Sequence, residues 1–533
     1  MLLQHTVMRA AEQRPDAVAL VYGKERLTYG ELDGLSNRIA RILAGLGCRK
    51  GDRVALLLPK SIRAIAGMLG ALKAGAIYVP MDTASPAARL ARIIQVCEPR
   101  FILSAGPGAA LLNTLTAEQL TGNAVQVGWL EDSPPAEPHF QVAFDWDACR
   151  AISFAPLDCS TSPGDPAHIL FTSGSTGTPK GVVITHANVA NFLHWATRYF
   201  GTTSSDRISC HPPLHFDLST FDIFGTFQAG AELHLVPAEA SLMPQMLAAF
   251  IREQRLTQWF SVPSALKYMA QFNVLKQGDF PALKRLLWCG EALPAPALIY
   301  WMQRLPHVTF TNLYGPTEAT IASSYYTVPE CPASEKAEIP IGVPCEGEEL
   351  LVLDDSLAPV AQGETGELYI RGVGLSPGYW HDPGKTASVF LEVEGRRIYK
   401  TGDLARVGSD GLVYLLGRSD SQIKSRGYRI ELGEIEGALH TLQAVRECAV
   451  VAIPSSGFEG NAICCAYAVE SPGNSAAGLR DQLARLLPPY MLPSQWMRLD
   501  KLPLNGNGKI DRPRLRQLFL ESAPRAASGT GAG

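Results

Sequence analysis

The sequence predicts a mixed α/β fold divided into more than one domain. With 533 residues, the chain is too long for a single hydrophobic core. Apolar runs typical of buried strands alternate with apolar residues at helical spacing through much of the chain. Short runs of alternating polar and apolar residues follow over residues 340–417, which is typical of antiparallel strands. The polar stretch 417–427 then separates this large region from a smaller C-terminal one.

A βαβ unit is predicted near the N-terminus. Residues 54–58 form a continuous apolar run that suits a strand buried on both faces. Apolar residues recur at helical spacing over residues 62–72, and Gly75 is placed to end that helix. Residues 77–79 return as a strand, so we expect a parallel sheet. Strand and helix patterns alternate again over residues 204–325, which predicts a second α/β layer.

The composition and the charge exclude several classes of function. Forty-seven basic and 51 acidic residues give a net charge of −4, which argues against a general nucleic-acid-binding protein. Charged residues interrupt the first twenty positions, and no run approaches the ~18 apolar residues of a membrane span. The 11 cysteines show no metal-ligand spacing, so reduced thiols are expected. We therefore expect a cytoplasmic protein without a nucleic-acid or membrane partner.

Residues 171–181 are the most informative stretch and have the sequence FTSGSTGTPKG. Glycines let the backbone approach a ligand, hydroxyl and N–H groups can surround phosphate oxygens, and Lys180 adds a positive charge. The spacing is not that of a Walker loop, because Pro179 precedes the lysine and the β-branched residues 182–184 predict a strand. We expect a loop between two strands, with a helix from about Thr185. A polar surface turn is the alternative.

This loop resembles the phosphate-binding signature of the adenylate-forming superfamily, which contains acyl-CoA synthetases, luciferases and amino-acid adenylation domains. Further family motifs occur in the family's order on both sides of this loop, along essentially the whole chain. They are LKAGAIYVP at 72–80, HFDLS at 215–219, YGPTE at 314–318, YKTGDL at 399–404 and LNGNGKID at 504–511.

The resemblance implies a definite division of the chain. Residues 1–417 would form a large adenylation core of α/β layers with a small β-barrel-like sub-domain. Proline-rich residues 130–166 are predicted as a connector within it. A hinge is expected at 418–421 and a small mobile α+β domain at 422–520. Residues 521–533, rich in alanine, serine and glycine, predict a disordered tail.

The resemblance also implies which residues bind MgATP. Tyr314 would stack on the nucleobase, and Glu318 would hold Mg²⁺, a cation that prefers oxygen ligands. Asp403 would accept the ribose hydroxyls, Arg418 would contact ribose or phosphate, and Asp420 matches the hinge residue. The complete expected ATP-binding set is Thr172, Ser173, Gly174, Ser175, Thr176, Gly177, Lys180, Tyr314, Thr317, Asp403 and Arg418.

Lys509 lies in a glycine-rich stretch near the C-terminus, where a lone lysine is usually a solvated surface charge. Its match to the last family motif implies that it neutralises the charge that develops between the carboxylate and the α-phosphate. Together with Thr176 and Glu318, it completes the expected catalytic group.

The motif at 215–219 resembles that of the amino-acid branch, in which Asp217 pairs with the substrate α-ammonium. A buried carboxylate prefers a cationic partner, because an unpaired buried charge is costly. A helix-capping aspartate is the alternative. Motif matching gives the pocket residues Asp217, Leu218, Phe221, Ser261, Leu287, Cys289, Leu313, Ile321, Ala322 and Lys509.

The side-chain part of this pocket is apolar, with no counter-charge for a basic or acidic substrate. Phe221, Leu287 and Leu313 narrow it, so we expect a small neutral amino acid. The motifs around Asp217 and Cys289 resemble those of D-alanine–carrier protein ligases. Alanine is therefore the first expectation, followed by glycine, serine and cysteine.

About twenty residues follow Asp511, too few for a folded carrier domain, so a separate carrier protein with a phosphopantetheine arm is the expected partner. The sequence thus predicts a stand-alone enzyme that forms aminoacyl-AMP and pyrophosphate and then transfers the acyl group to that thiol. A carboxylate–CoA ligase is the alternative. A non-catalytic nucleotide-binding protein is disfavoured, because Lys180, Glu318 and Lys509 are all present.

Overall fold

The computed structural model describes residues 1–118, 125–132, 138–174, 178–455, 460–469, 475–505 and 509–522. The chain divides into two compact units. One contains Met1–Thr172 and Pro179–Asp420, and the other contains Ser173–Thr178 and Ser421–Gly533. Across the described ranges, no helix has both the length and the apolar character needed to cross a membrane.

The first unit consists of mixed sheets with helices between their strands. Its strands are β1 Val18–Tyr22, β2 Glu25–Thr28, β3 Arg53–Leu57, β4 Ile77–Pro80, β5 Phe101–Ser104, β6 Gln126–Trp129, β7 Val142–Phe144, β8 Pro166–Thr172, β9 Lys180–Thr185, β10 Arg207–Cys210, β11 Glu232–Leu235, β12 Gln258–Ser261, β13 Arg285–Cys289, β14 Thr309–Tyr314, β15 Ser324–Thr327, β16 Val343–Pro344, β17 Glu348–Leu353, β18 Gly366–Gly372, β19 Gly378–Tyr379, β20 Phe390–Val393, β21 Arg396–Val407 and β22 Val413–Arg418. Its helices are α1 Gln4–Gln13, α2 Tyr29–Gly45, α3 Ile62–Lys73, α4 Ala87–Cys97, α5 Gly108–Ala117, α6 Trp146–Ala151, α7 His186–Tyr199, α8 Asp217–Ala229, α9 Pro244–Glu253, α10 Pro263–Gln271, α11 Ala295–Arg304 and α12 Pro383–Val389.

An eight-stranded sheet contains the predicted βαβ unit, with strand order β19-β9-β8-β4-β3-β5-β6-β7. Strands β3 and β4 run parallel, with Arg53 opposite Ile77, and α3 connects them. The Ser61 hydroxyl accepts the Ala64 N–H at the start of α3. Gly75 follows the helix with φ +75°, a conformation that favours glycine. The βαβ prediction is confirmed.

A nine-stranded sheet has the order β16-β15-β14-β13-β12-β10-β11-β1-β2. Its strands β10 to β14 pair in parallel, and helices α8 to α11 alternate with them along the chain. The α/β layer predicted for residues 204–325 is therefore confirmed. The carboxyl ends of parallel strands meet at one edge of such a sheet, which is where ligands bind in α/β folds.

A third sheet follows in the order β17-β18-β21-β20, with β22 paired to β21. All of its pairs are antiparallel, as the alternating pattern over residues 340–417 predicts. It lies where the sequence predicts the β-barrel-like sub-domain. The connector predicted at 130–166 is partly wrong, because the strand β7 and the helix α6 interrupt it. Asp145 caps α6 by accepting the Ala148 N–H. This capping residue is a local helix signal, but the many prolines of the segment led to the prediction of a loop.

The second unit is a smaller α+β structure. Its elements are β23 Gln422–Ser425, β24 Tyr428–Glu431, α13 Leu432–His440, β25 Val445–Pro454, β26 Asn461–Val469, α14 Ala476–Leu483, β27 Gln495–Arg498 and α15 Arg512–Ser522. Strands β25, β26 and β27 form one sheet, and Arg512 on α15 makes a bidentate ion pair with Glu436 on α13. Helix α15 includes Glu521 and Ser522, which the sequence assigned to the tail. The rest of that tail lies outside the described residues.

Candidate active site

The predicted phosphate loop connects two antiparallel strands, β8 and β9, in which Thr172 lies opposite Lys180. The expected strand–loop–strand arrangement is confirmed. Helix α7 then begins after Thr185, which forms a capping box with Asn188. Ser173 and Gly174 continue from the end of β8. Three loop residues of the expected ATP-binding set lie outside the described residues: Ser175, Thr176 and Gly177.

A buried carboxylate lies in the turn that follows β14. Tyr314 ends the strand, and Glu318 lies in the short 3₁₀ helix Thr317–Ala319 with 0% of its surface exposed. The Tyr379 hydroxyl donates a 2.7 Å hydrogen bond to Glu318 Oε1. The Lys180 ammonium lies 5.7 Å from the centre of the same tyrosine ring. The fold thus joins two predicted residues, Lys180 and Glu318, through a residue that the sequence analysis missed.

Tyr379 was missed because its contacts arise from the fold. It belongs to β19, which pairs with β9 and places Tyr379 opposite Val182. The glycine and proline of the segment LSPGYW at 375–380 indicate a turn but do not reveal its partner. The pairing of β19 with β9, together with the Ser376 N–H that donates to the Glu318 carbonyl at 2.8 Å, brings the tyrosine to Glu318.

Asp403 is the centre of a second hydrogen-bonded group. Strands β21 and β22 place it opposite Arg418, whose Nη1 donates a 2.7 Å hydrogen bond to Asp403 Oδ1. The Tyr314 hydroxyl donates to Asp403 Oδ2 at 2.5 Å. Arg418 also makes a bidentate pair with Asp420, at 2.8 and 2.7 Å. Four predicted residues are therefore brought together: Tyr314, Asp403, Arg418 and Asp420.

Burial of Tyr314 and the adjacent Asp403 charge raise the pKa of Tyr314 well above its ordinary value of 10. The phenol therefore remains protonated and continues to donate its hydrogen bond at neutral pH. A carboxylate offers about four lone-pair positions. Tyr314 and Arg418 use two of them among the described residues, so Asp403 retains capacity for further donors.

The predicted amino-acid pocket lies at the carboxyl ends of adjacent parallel strands. Ser261 ends β12, Cys289 ends β13 and lies opposite Leu313 on β14, and helix α8 begins at Asp217. These are the positions at which α/β sheets bind ligands. Seven predicted pocket residues are buried within one packed apolar cluster: Leu218, Phe221, Leu287, Cys289, Leu313, Ile321 and Ala322.

Two further contacts limit the space and polarity of this region. The Phe221 ring packs edge-on against Phe192, with ring centres 5.3 Å apart. The Ser261 hydroxyl accepts the Trp259 indole N–H at 3.0 Å, so this hydrogen-bonding group already has a partner. Asp217 is half-buried at the first position of α8. A carboxylate is favourable at a helix N-terminus, and this one lies beside a largely apolar set of side chains.

Lys509 belongs to the second unit. Its N–H donates to Asn505 Oδ1 at 3.0 Å, and its carbonyl accepts the Asn505 N–H at 2.7 Å. An isolated bridge between Leu504 and Ile510 encloses the same loop. The backbone of Lys509 is thus fixed by local hydrogen bonds, while the intervening residues 506–508 lie outside the described part of the chain.

Comparison with protein-family models gives two matches that cover most of the chain. The model of the AMP-binding enzyme family matches residues 7–380, and that of the AMP-binding enzyme C-terminal domain matches residues 434–509. The chain belongs to the AMP-binding enzyme family. It is thus an adenylate-forming ligase with the mixed α/β fold that the sequence motifs predicted.

Curated members of the AMP-binding enzyme family resemble the chain over nearly its full length. The L-proline–[L-prolyl-carrier protein] ligase of Streptomyces coelicolor is 37% identical over 519 residues, covering 96% of this chain and 94% of that protein. Tyrocidine synthase 1 of Brevibacillus parabrevis is 33% identical over 95% of this chain. The match spans 44% of that synthase, which is less than half of its length.

Solved structures give the same family and fold. The Vibrio cholerae adenylation domain AlmE, in complex with glycyl-adenosine-5'-phosphate, matches 97% of this chain with a TM-score of 0.84 and 26% identity. The amide bond synthetase McbA of Marinactinospora thermotolerans has a TM-score of 0.86 at 24% identity, which bears on the fold alone.

Proposed function

We propose that this adenylate-forming ligase activates a small neutral amino acid with ATP and transfers the aminoacyl group to the phosphopantetheine thiol of a carrier protein. The observation that carries this proposal is Asp217, a carboxylate at the start of α8 beside a buried apolar cluster. An α-ammonium supplies the cation that such a carboxylate favours, whereas a simple carboxylic acid does not.

The Asp403 group suits a ribose. Its unused acceptor capacity matches two hydroxyl donors, and Arg418 and Tyr314 fix the orientation of the carboxylate. Arg418 is itself held by Asp420, so the guanidinium position is defined before a nucleotide binds. We propose that Asp403 binds the ribose and that Arg418 and Tyr314 position it. The remaining residues of the expected set, Thr172 to Gly177, Lys180 and Thr317, would surround the phosphates.

Glu318 fits a magnesium ion. No group of three or more histidine, cysteine or acidic side chains that could hold a metal is found within the described residues. Mg²⁺ is usually bound through one or two carboxylates together with substrate phosphates and water, so a single buried carboxylate is sufficient. The Tyr379 hydroxyl on Oε1 fixes the rotation of the group. Bound Mg²⁺ would offset phosphate charge, while Glu318 and Tyr379 hold its position.

The catalytic role of Lys509 and the hinge role of Asp420 remain proposals that rest on the family motifs. Neutralising the charge that develops at the α-phosphate contributes strongly to stabilising the transition state of such displacements. Lys509→Ala should therefore abolish adenylation while ATP binding persists. Unchanged activity would remove Lys509 from the mechanism.

The pocket favours alanine, followed by glycine, serine and cysteine. Phe221, Leu287 and Leu313 are all buried and leave the site without a charged group for a long polar side chain. The neighbour AlmE was solved with a glycyl adenylate, which supports a small substrate. Apolar pockets separate substrates by only about 1–3 kcal/mol per methylene, so several small amino acids should react at graded rates.

L-Proline is the second candidate. The relative from Streptomyces coelicolor is named as an L-prolyl-carrier protein ligase and matches nearly all of both chains. Proline has a compact, apolar ring and a secondary ammonium that can still pair with Asp217. It therefore meets the same requirements of charge and polarity as the small primary amino acids.

Amino-acid-dependent exchange of pyrophosphate into ATP tests the proposal. The panel should contain glycine, L- and D-alanine, serine, cysteine, L-proline, β-alanine, acetate and propionate. A strong signal for alanine or another small primary amino acid supports the first choice, and a signal for proline alone supports the second. Exchange that is restricted to acids without an α-amino group would overturn the role of Asp217. It would instead favour the carboxylate–CoA ligase, which thioester formation with free CoA would then test.

A further inference from the structure

The backbone has an unusual conformation at the two residues that lead into the pocket wall. Thr320 has φ +59° and Ile321 has φ +70°, although both side chains are β-branched. Such residues rarely adopt positive φ, because the branched side chain crowds the backbone. Strained conformations of this kind cost about 1–3 kcal/mol each and persist only when surrounding contacts fix them.

A tight turn is centred on Ile321. The Ala322 N–H donates to the Thr320 carbonyl at 2.9 Å, which closes a three-residue γ-turn around the strained isoleucine. The Ser323 N–H donates to the Tyr314 carbonyl at 2.7 Å, and the Cys289 thiol lies 3.9 Å from the Ile321 carbonyl. The turn therefore determines how Ile321 and Ala322 face the proposed substrate.

The contacts that hold this turn converge on a distant segment, residues 373–375. The Thr320 hydroxyl donates to the Gly374 carbonyl at 2.6 Å, across 54 residues of sequence. The Gly374 N–H donates in turn to Glu348 Oε1 at 2.7 Å. A Cβ on Gly374 would lie 2.8 Å from the Ala319 carbonyl oxygen and 2.9 Å from Glu348 Oε1, so only glycine fits without a shift.

Glu348 also connects to the other end of the turn. Its N–H donates to the Cys345 carbonyl at 2.9 Å, and the Cys345 N–H donates to the Ser323 carbonyl at 2.9 Å. Hydrogen bonds and chain together form a closed ring that runs from Glu348 through Gly374, Thr320, Ile321 and Ser323 to Cys345. The Glu348 side chain closes this ring.

The carboxylate of Glu348 is unusual for a strand residue. Glu348 is only 9% exposed, and its Oε2 atom has no hydrogen-bond partner among the described residues. The Cys345 thiol is its titratable neighbour, and burial raises the pKa of this thiol well above its ordinary value. The adjacent Glu349 is an ordinary surface acid paired with Arg371. Within the part of the chain that the structure describes, no cationic side chain pairs with this buried acid. The hydrogen bond that it accepts from the Gly374 N–H gives it a structural role instead.

We propose that Glu348 is a positioning residue for the amino-acid pocket, holding the strained Thr320–Ile321 turn through Gly374. This inference deepens the proposed function and rests on it for the choice of substrate. Loss of the side chain would let Gly374 and the Thr320 hydroxyl bonded to it relax, so Ile321 and Ala322 would no longer be fixed. Binding of the amino acid should then weaken, while binding of ATP should change little.

The test compares Glu348→Ala, Glu348→Gln and the matched surface control Glu349→Ala in the full-length protein. Pyrophosphate exchange gives KM for alanine and for ATP separately. Glu348→Ala should raise the KM for alanine about tenfold and leave the KM for ATP within about twofold. Glu348→Gln should restore the alanine KM to within about threefold, because its amide oxygen still accepts the Gly374 N–H. Glu349→Ala should match the wild type.

Hydrogen exchange followed by mass spectrometry supplies a readout that needs no substrate. Peptides covering 317–324 should exchange faster in Glu348→Ala than in Glu349→Ala, with melting temperature reported for both. An unchanged alanine KM together with unchanged exchange would overturn the positioning role. Equal increases in both KM values would also overturn it, because they indicate general loosening. If the wild type shows no amino-acid-dependent activity, the proposed function fails instead, and hydrogen exchange alone decides the positioning role.

Discussion

The nucleotide side and the amino-acid side of the proposed site are built differently. Around Asp403 and Glu318, polar side chains are tied to one another by short hydrogen bonds. Around Ile321, the walls are apolar, and their position depends on a strained turn held from outside the pocket. Hydrogen bonds between side chains fix the positions of the polar groups directly, whereas the position of an apolar side chain in a wall depends on its backbone. Mutations should therefore separate ATP binding from amino-acid binding.

Among the variants that separate the two sides, Asp217→Ala has the largest expected effect. Removing one member of a partly buried charge pair leaves the substrate ammonium unpaired, which costs about 3–5 kcal/mol. We expect kcat/KM for the amino acid to fall at least a hundredfold while the KM for ATP remains within about threefold. Pyrophosphate exchange measures both. Asp147→Ala, which changes an exposed acid in the first turn of α6, is the matched control.

An equal loss of ATP affinity in Asp217→Ala would contradict the separation of the two regions. It would instead support the alternative role of Asp217 as a structural residue of α8. Melting temperature distinguishes these cases, because a structural role predicts a destabilised protein.

Arg418→Lys should weaken ATP binding instead. Arginine donates to Asp403 and makes a bidentate pair with Asp420 at the same time, a geometry that lysine cannot reproduce. We expect the KM for ATP to rise about tenfold, with the amino-acid KM nearly unchanged. Arg406→Lys provides a control on the neighbouring strand β21, where the arginine pairs with Glu338. A larger change in the amino-acid KM than in the ATP KM would contradict the prediction.

Tyr379→Phe tests the contact that the sequence did not reveal. The change removes one hydrogen bond to a buried carboxylate, which is typically worth about 1.5–3 kcal/mol. We expect the Mg²⁺ concentration for half-maximal activity to rise about tenfold, as measured by titration at fixed ATP. Tyr414→Phe removes a comparable but exposed bond to Asp410 and should leave the Mg²⁺ requirement unchanged. An unaltered Mg²⁺ requirement in Tyr379→Phe would separate Glu318 from the metal.

These regions also differ in how well the sequence predicts them. The strands around the phosphate loop follow from Pro179 and the β-branched residues 182–184, which are local signals. The parallel layer that carries Ser261, Cys289 and Leu313 follows from regular strand and helix alternation. Motif order then supplied residues such as Asp403 and Arg418, which the structure brings together although 15 positions separate them.

Contacts between segments without a shared motif were not predictable. Tyr379 meets Glu318 across 61 positions, and Thr320 meets Gly374 across 54, in each case because strands or turns from different sheets approach one another. Glu348 and Glu349 are consecutive acids in the sequence, and no local signal there distinguishes one from the other. Only the pleat of β17, which turns neighbouring side chains to opposite faces, makes one buried and the other exposed.

The smallest expected effect concerns the pH dependence of stability. Burial raises the pKa of Glu348 from its ordinary 4.5 to about 7. Between these values the folded chain binds more protons than the unfolded chain, so this group stabilises the fold below pH 4.5, and that stabilisation is lost as the pH rises through 7. Glu348→Gln abolishes this pH-dependent contribution to stability, because the amide stays neutral while its oxygen still accepts the Gly374 N–H.

We therefore expect the stability of Glu348→Gln relative to the wild type to be about 1–2 kcal/mol greater at pH 8.5 than at pH 5.5. Denaturant unfolding at the two pH values measures the difference. Glu349→Gln should show no comparable trend, because its carboxylate is exposed. A stability difference that is the same at both pH values would show that Glu348 does not titrate in this range. Its contribution to the pocket would then come from the hydrogen bond that it accepts from the Gly374 N–H alone.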